Sequence, residues 1–392
     1  MPSTAIETAI EPPNTSRLPR VLLLSDVKPE NTSGGQIVLY RHLVASGDFE
    51  LLADTPAIPS LFQSKAWRRI KNTRFFRLTN TLEELFVSNN PSPQCVAKAE
   101  AFAPDVVLTV AHGRGYAQAR RLANQLNVPL VTIYHDWWPD LDHVLPGWNW
   151  LANKRFHKIA RQSALCLCVS DQMKTALASP GNTVVLPPIP GPPPEPNENL
   201  STNTQFKIGY FGSLYDYGPM MADVAEAALQ QSGIKLEIRC GRPNWPNDLI
   251  ERYTTADILL PYTSREGLEK WLTDLDAILC AMSFDPRLRR RMETSFPSKL
   301  VESLQFGKPV IIWGPEYCAA VQWARERDAC LCITTPDADV ALRQMAAFAA
   351  DPNSQRAAAA SAKHLAEAEF NPKVIQDKFV ATIQSTLAIL DD

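Results

Sequence analysis

The sequence predicts an α/β protein built from two doubly wound parallel-sheet domains. Three observations carry this. Short continuous apolar runs alternate with helical stretches, the pattern of strands buried on both faces. A proline-rich stretch over 187–204 interrupts the alternation. The alternation then restarts beyond it. A chain of 392 residues has the size of two domains, and 45% hydrophobic residues suffice for two cores.

Residues 1–17 are polar, with prolines and acids, and read as a disordered tail. They lack the basic start and apolar run of a signal peptide. An N-terminal domain over 18–186 follows. Residues 20–26 form its first strand, 31–36 a connection and 37–45 a helix. Residues 104–110 and 129–134 are further buried strands, separated by a helix over 117–126. Stretches 164–170 and 183–186 complete the set. The linker 187–204 opens with Pro187-Pro188-Ile189-Pro190-Gly191-Pro192-Pro193-Pro194, which cannot donate to a ladder and makes a semi-rigid spacer.

The second domain, 205–370, begins with a strand over 206–211 that ends in Gly212-Ser213. A strand over 235–240 ends in Gly241-Arg242, and strands over 257–261, 309–313 and 329–333 follow. Residues 264–294 read as a charged, helical insertion rich in Trp271, Leu272, Leu275, Ile278 and Leu279. Helices are expected over 340–350, 357–369 and 373–390.

The totals exclude several classes. A formal charge of -3 argues against a general nucleic-acid binder. The eight cysteines form no CxxC pair and no ligand-spaced cluster with histidine. Cys166 and Cys168, like Cys330 and Cys332, alternate inside apolar runs, so they read as reduced thiols in strands of a cytoplasmic protein. No run of about 18 apolar residues is long enough to span a bilayer.

The stretch 295–312 carries the clearest chemistry. It reads as a loop, a helix, a stop at Gly307 and a buried strand from Pro309. Ser295 or Ser298 is expected to cap the helix, with Pro297 in its first turn. Ser298 and Lys299 then lie at the end that attracts anions, and Glu302 one turn on faces sugar hydroxyls. A phosphate contact beside a carboxylate suits a nucleotide or a nucleotide sugar. The plainer reading of Lys299 and Glu302 is a surface ion pair at helical spacing.

These residues, with others in the same order, resemble the GT-B glycosyltransferases, and more closely glycosyltransferase family 4. The matching features are Gly34-Gly35 after the first strand, His112 after Val110 and His135-Asp136 after Tyr134. In the second half they are Gly212 after Phe211, the stretch 256–261, and Phe296-Pro297-Ser298-Lys299 to Glu302 with Gly307-Lys308-Pro309-Val310. The resemblance implies two Rossmann-like domains facing a cleft, with the helix of 371–392 packing back on the first. It implies a retaining, metal-independent, hexosyltransferase-type enzyme with no cofactor. The second domain would grip a nucleotide sugar and the first a glycan or lipid-linked acceptor, as in polysaccharide or glycoconjugate synthesis.

In that reading His135, and also His112, lie near the transferred sugar. Gly34 and Gly35 let backbone approach the phosphate or donor sugar. Ser298 and Lys299 touch the diphosphate, and Glu302 binds the ribose. Gly212, Ser213 and Arg242 belong to the donor side. The chain departs from the family at two places. Thr294 stands where many members carry the first of two acids, and Glu293 is off register. The segment 212–218 also lacks the usual arginine and lysine; Lys299, Arg242 or Arg265 can supply the charge.

Residues 65–78 interleave bases with aromatics at near-helical spacing, which suits peripheral contact with an anionic membrane or an ordinary solvated helix. The cluster Arg287, Arg289, Arg290 and Arg291 reads as a solvated face, or instead as a site for an anionic partner. The reading favoured is a retaining glycosyltransferase. The alternatives are a catalytically weak scaffold of the same fold, motivated by Thr294 and the bare Gly212 loop, and a nucleotide-sugar epimerase.

Overall fold

The computed structural model describes residues 17–388 apart from 33, 87–88, 114, 141–143, 179, 195–204 and 231–232. The tail over 1–16, the latter part of the linker and residues 389–392 lie outside the described residues.

Two six-stranded sheets form the frame. The first contains β1 (Arg20–Leu24), β2 (Glu50–Asp54), β3 (Val106–Val110), β4 (Leu130–Tyr134), β5 (Leu165–Cys168) and β6 (Thr183–Val185), in the order β2-β1-β3-β4-β5-β6. The second contains β7 (Phe206–Phe211), β8 (Ile234–Arg239), β9 (Leu259–Leu260), β10 (Ala277–Ala281), β11 (Val310–Trp313) and β12 (Leu331–Ile333), in the order β12-β11-β10-β7-β8-β9. Every neighbouring pair is parallel. Strands such as Val-Val-Leu-Thr-Val in β3 are buried at every position, as a sheet covered on both faces requires. Each buried Val, Leu or Ile contributes about 1.5–3 kcal/mol through burial.

Two strands escape the sequence reading. β2 is an edge strand with acids at both ends and partly exposed side chains. β10 lies inside the stretch expected to be an insertion, yet it is central, paired to both β7 and β11. Residues 264–294 are therefore an integral part of the second domain. The helix Arg265–Asp274 packs directly on the sheet at Gly209, where a Cβ would come within 2.1 Å of Leu275 and 2.9 Å of Trp271. A five-residue apolar run next to an amphipathic helix has no periodicity of its own, so it cannot be told from helix by pattern.

The C-terminal helix, Pro372–Ala388, crosses back to the first sheet's side of the molecule. Gln376 donates to the Asp48 carboxylate at 2.7 Å and bonds the His42 ring at 2.7 Å. Phe379 packs on Phe49 and His42. One apolar cluster runs from β1–β5 through Met292, Phe296 and Leu300 to Phe370 and Phe379. The second sheet encloses its own cluster around Ile208, Tyr210 and Ile311.

In both sheets the strand order reverses beside the first strand. β1 lies between β2 and β3, and β7 between β8 and β10. Loops leaving parallel strands diverge at such points and open a crevice at the carboxyl ends.

Candidate functional site

A cavity of about 600 Å³ lies where those loops meet. Its first wall begins after β1. Gly34 has φ 59° and ψ -137°, a conformation open to glycine and costly for other residues. Space is not the constraint there, because a Cβ on Gly34 meets nothing within 4 Å. Gly35 is constrained differently: a Cβ would sit 3.3 Å from His135 Nδ1, so the imidazole lies against the start of the helix Gly35–Tyr40.

His135 follows β4 and lines the cavity. Burial lowers its pKa to about 4, so the ring is neutral at pH 7, with one donor and one acceptor nitrogen. Burial also lowers the pKa of His112, whose ring lies 4.2 Å from that of Trp138. The loop after β3 is held by Asp26, which accepts from the Gly115 amide at 3.2 Å. A Cβ on Gly113 would come within 2.2 Å of the same carboxylate.

The second wall is cationic. Lys299 lies in the helix Ser298–Leu304, and its Nζ donates to Tyr210 Oη at 3.0 Å and sits 5.6 Å from the Tyr217 ring centre. Burial lowers its pKa to about 8, which leaves it mostly charged at neutral pH. Gly212, at φ 106°, makes room for it: a Cβ there would lie 2.3 Å from Lys299 Cε and 2.6 Å from Nζ. The Ser298 helix has no side-chain cap. Pro297 stands at the N-cap, Ser298 is the first helical residue, and Ser295 Oγ instead donates to Asp136 at 2.9 Å. Both expected serine caps are thus replaced. The serine hydroxyl at 295 is used across the cleft, and Ser298 is already inside the helix.

Arg291 joins the walls. It pairs with Asp136, which follows β4, at 3.4 Å, and with Asp216, in the loop after β7. Burial alone would raise the Asp136 pKa, but Arg291 and the Ser295 hydroxyl hold it below its ordinary value. Arg291 is 18% exposed, against 77% for Arg287 and 61% for Arg289, which pair with Asp285 and Glu293 beside them. The cluster expected as one solvated face is therefore divided. Arg291 is turned into the cleft on the six-residue helix Arg289–Thr294, and neither charge nor spacing separates it from its neighbours in sequence.

The structure brings Gly34, Gly35, His112, His135, Ser298 and Lys299 to one cavity. Gly212 stands behind Lys299. Ser213 and Arg242 are exposed and lie outside the lining. Glu302 also lies outside it: its carboxylate pairs with Arg41 and accepts from the Gly191 amide at 3.3 Å. Arg41 donates as well to the Ile189 carbonyl at 2.8 Å, tying the first domain, the proline segment and the second domain together. Thr294 is buried, with its hydroxyl on the Arg290 carbonyl and its own carbonyl accepting from Ser170 Oγ at 2.6 Å. Glu293 bonds Arg289 and Arg290, so it does not replace the missing acid. Asp26 and Arg41 went unassigned, and Arg291 was not separated from its cluster, because their roles depend on partners distant in sequence.

Residues 38–189 match the model of Glycosyltransferase Family 4. Solved structures agree over nearly the whole chain. Anabaena HepE in complex with UDP superposes with a TM-score of 0.63 at 15% identity, covering 94% of this chain and 100% of that one. A glycosyltransferase from Rickettsia africae gives 0.60 at 13%, covering 94% and 99%. WaaG, a glycosyltransferase involved in lipopolysaccharide biosynthesis, gives 0.53 at 12%, covering 92% and 98%. At these identities the likeness establishes the fold. The chain is a GT-B protein with an N-terminal domain of the family 4 type. No curated protein matches it in sequence.

Proposed function

We propose that the protein moves a sugar from a nucleoside diphosphate sugar to an acceptor hydroxyl, with retention of configuration and without a metal. The observation that carries this is the pairing of two unlike walls around one cavity, neutral imidazoles and glycine backbone facing a buried lysine. Lys299 and Ser298 would meet the diphosphate, Gly34 and Gly35 the donor sugar, and His135 a sugar hydroxyl, with His112 beside it. A buried cation near the leaving diphosphate stabilises the charge that develops as the glycosidic bond breaks. Among the described residues lining the cavity, the two carboxylates are already engaged, Asp26 with the Gly115 amide and Asp136 with Arg291 and Ser295. Departure of the diphosphate on the face the acceptor approaches, with a phosphate oxygen taking the acceptor proton, accounts for retention. Positioning then supplies much of the rate.

Anabaena HepE was solved with UDP-glucose, and WaaG serves lipopolysaccharide synthesis, which supports a nucleotide-sugar donor and a glycan or lipid-linked acceptor here. Glu302 would bind the ribose by exchanging Arg41 for the hydroxyls. The decisive experiment is thermal unfolding of the protein with UDP, GDP, ADP and their common sugars. A ligand of the folded state raises the melting temperature by mass action. One nucleotide family is expected to do so, and a flat response to all would remove the donor site. Thr294 favours a second reading, a nucleotide-binding scaffold, which binding without transfer across an acceptor panel would support.

Peripheral membrane contact through 65–78 is supported by Ile70, Phe75, Phe76 and Leu78, exposed among Arg68, Arg69, Lys71 and Arg74. Among the described residues no helix is long and apolar enough to cross a membrane. Co-sedimentation with anionic but not zwitterionic vesicles is the expected result, and equal recovery with both would argue against it.

A further inference from the structure

Resting on the donor-site reading above, we propose that Arg291 is a second diphosphate-binding cation, stored on Asp136 and Asp216 until the nucleotide arrives. The loop after β7 borders the cavity through Tyr217. That loop, 212–217, contains no arginine or lysine, and a side chain at Gly212 is excluded by Lys299. Among the described residues lining the cavity, the lysine and arginine side chains are Lys299 and Arg291. One ammonium is a point charge with a single well-directed contact here, to Tyr210. A guanidinium presents a planar fork that matches phosphate oxygens, so the two cations together suit a diphosphate better than either alone.

The partners of Arg291 point the same way. Its two carboxylates come from opposite sides of the cleft, one after β4 and one after β7. Arg291 and its two acids sum to about minus one, so in its resting pairing the arginine adds no net positive charge to that of Lys299. The arrangement becomes favourable once the guanidinium turns from Asp216 to phosphate. Asp136 is the fixed support, because Ser295 also bonds it. Asp216 makes the shorter contact and is the one phosphate would have to displace, carried on the loop that begins with the glycine accommodating Lys299. Arg291 therefore acts as a preset anion clamp, and Asp216 as its competitor.

Calorimetric titration tests this with the full-length protein, Arg291→Gln, Arg291→Lys and Asp216→Asn. The probes are UDP, GDP, ADP, the matching nucleosides and inorganic pyrophosphate. Arg291→Gln is expected to weaken diphosphate and pyrophosphate binding by roughly tenfold or more, with nucleoside binding unchanged. Arg291→Lys should recover part of the loss. Asp216→Asn, which keeps the arginine, should bind diphosphate more tightly than the parent. Equal diphosphate affinity in the parent and a folded Arg291→Gln would overturn the clamp while leaving the donor site intact. Weaker diphosphate binding by Asp216→Asn would also overturn it. Pyrophosphate binding that needs Arg291, with no nucleotide bound, would keep the clamp and defeat the donor-site reading. If the parent binds neither, both are wrong.

Discussion

The two walls of the cavity experience the same physical pressure and end in opposite states. Burial opposes charge on both. On the first wall, His135 begins near 6.5 and is driven to about 4, so it is neutral at pH 7. On the second, Lys299 begins at 10.5 and is lowered only to about 8, so it keeps most of its charge. Desolvation thus sorts side chains by the distance of their ordinary pKa from 7. It leaves a hydrogen-bonding wall for hydroxyls and a cationic wall for phosphate.

The largest test of that contrast is to remove one group from each wall. Lys299→Met is expected to weaken nucleoside diphosphate binding by roughly 10²-fold. His135→Ala should leave that affinity nearly unchanged while lowering turnover by roughly 10²-fold. Calorimetry and single-turnover transfer assays separate the two effects, and interchanged results would reverse the assignment of the walls. Gly212→Ala tests the same lysine indirectly. The added Cβ must push Lys299 aside, so diphosphate affinity should fall by about tenfold with the lysine still present. Unaltered affinity would show that the close fit of Gly212 and Lys299 has no bearing on the ligand.

Acidity offers a smaller, graded test. Below about pH 8 Lys299 carries its proton, and a bound diphosphate favours that form further. Diphosphate affinity should therefore be level through neutral pH and decline as pH rises above about 8. His135 has already lost its proton above about pH 4 and should produce no step near 6.5. A binding titration from pH 6 to 10 reads both when the ligand is a nucleotide sugar, whose esterified diphosphate has no ionisation near pH 6, and a midpoint near 6.5 would then implicate an imidazolium instead.

The smallest expected effect concerns Glu302, which lies beyond either wall. Glu302→Gln removes the charge facing Arg41, which is 11% exposed, and should cost about 1–2 kcal/mol in chemical unfolding. Nucleoside affinity should drop as well if the carboxylate also takes the ribose. A stability loss with no change in affinity would make Glu302 a tie between the domains.

Much of this protein was legible along the chain, because those features are local. Buried parallel strands are continuous apolar runs, so β1, β3, β4, β7 and β11 stand out. Gly34-Gly35, His135 and Lys299 follow or precede such runs at recognisable spacing. β10 was hidden because five apolar residues beside an amphipathic helix carry no distinguishing period. Ser295 reads locally as a cap, but its hydroxyl is claimed by Asp136, far away in sequence. The resting partner of Glu302 and the separation of Arg291 from its neighbouring arginines depend on Arg41, Asp136 and Asp216. Each of these is brought into reach only when the strand order and domain packing are set. Sequence by itself determined ten of the twelve strands, their order and the residue types at the loop ends, since those follow from short-range pattern. Tertiary structure alone decided which charges meet and which residues burial neutralises, because those depend on distance and solvent exclusion.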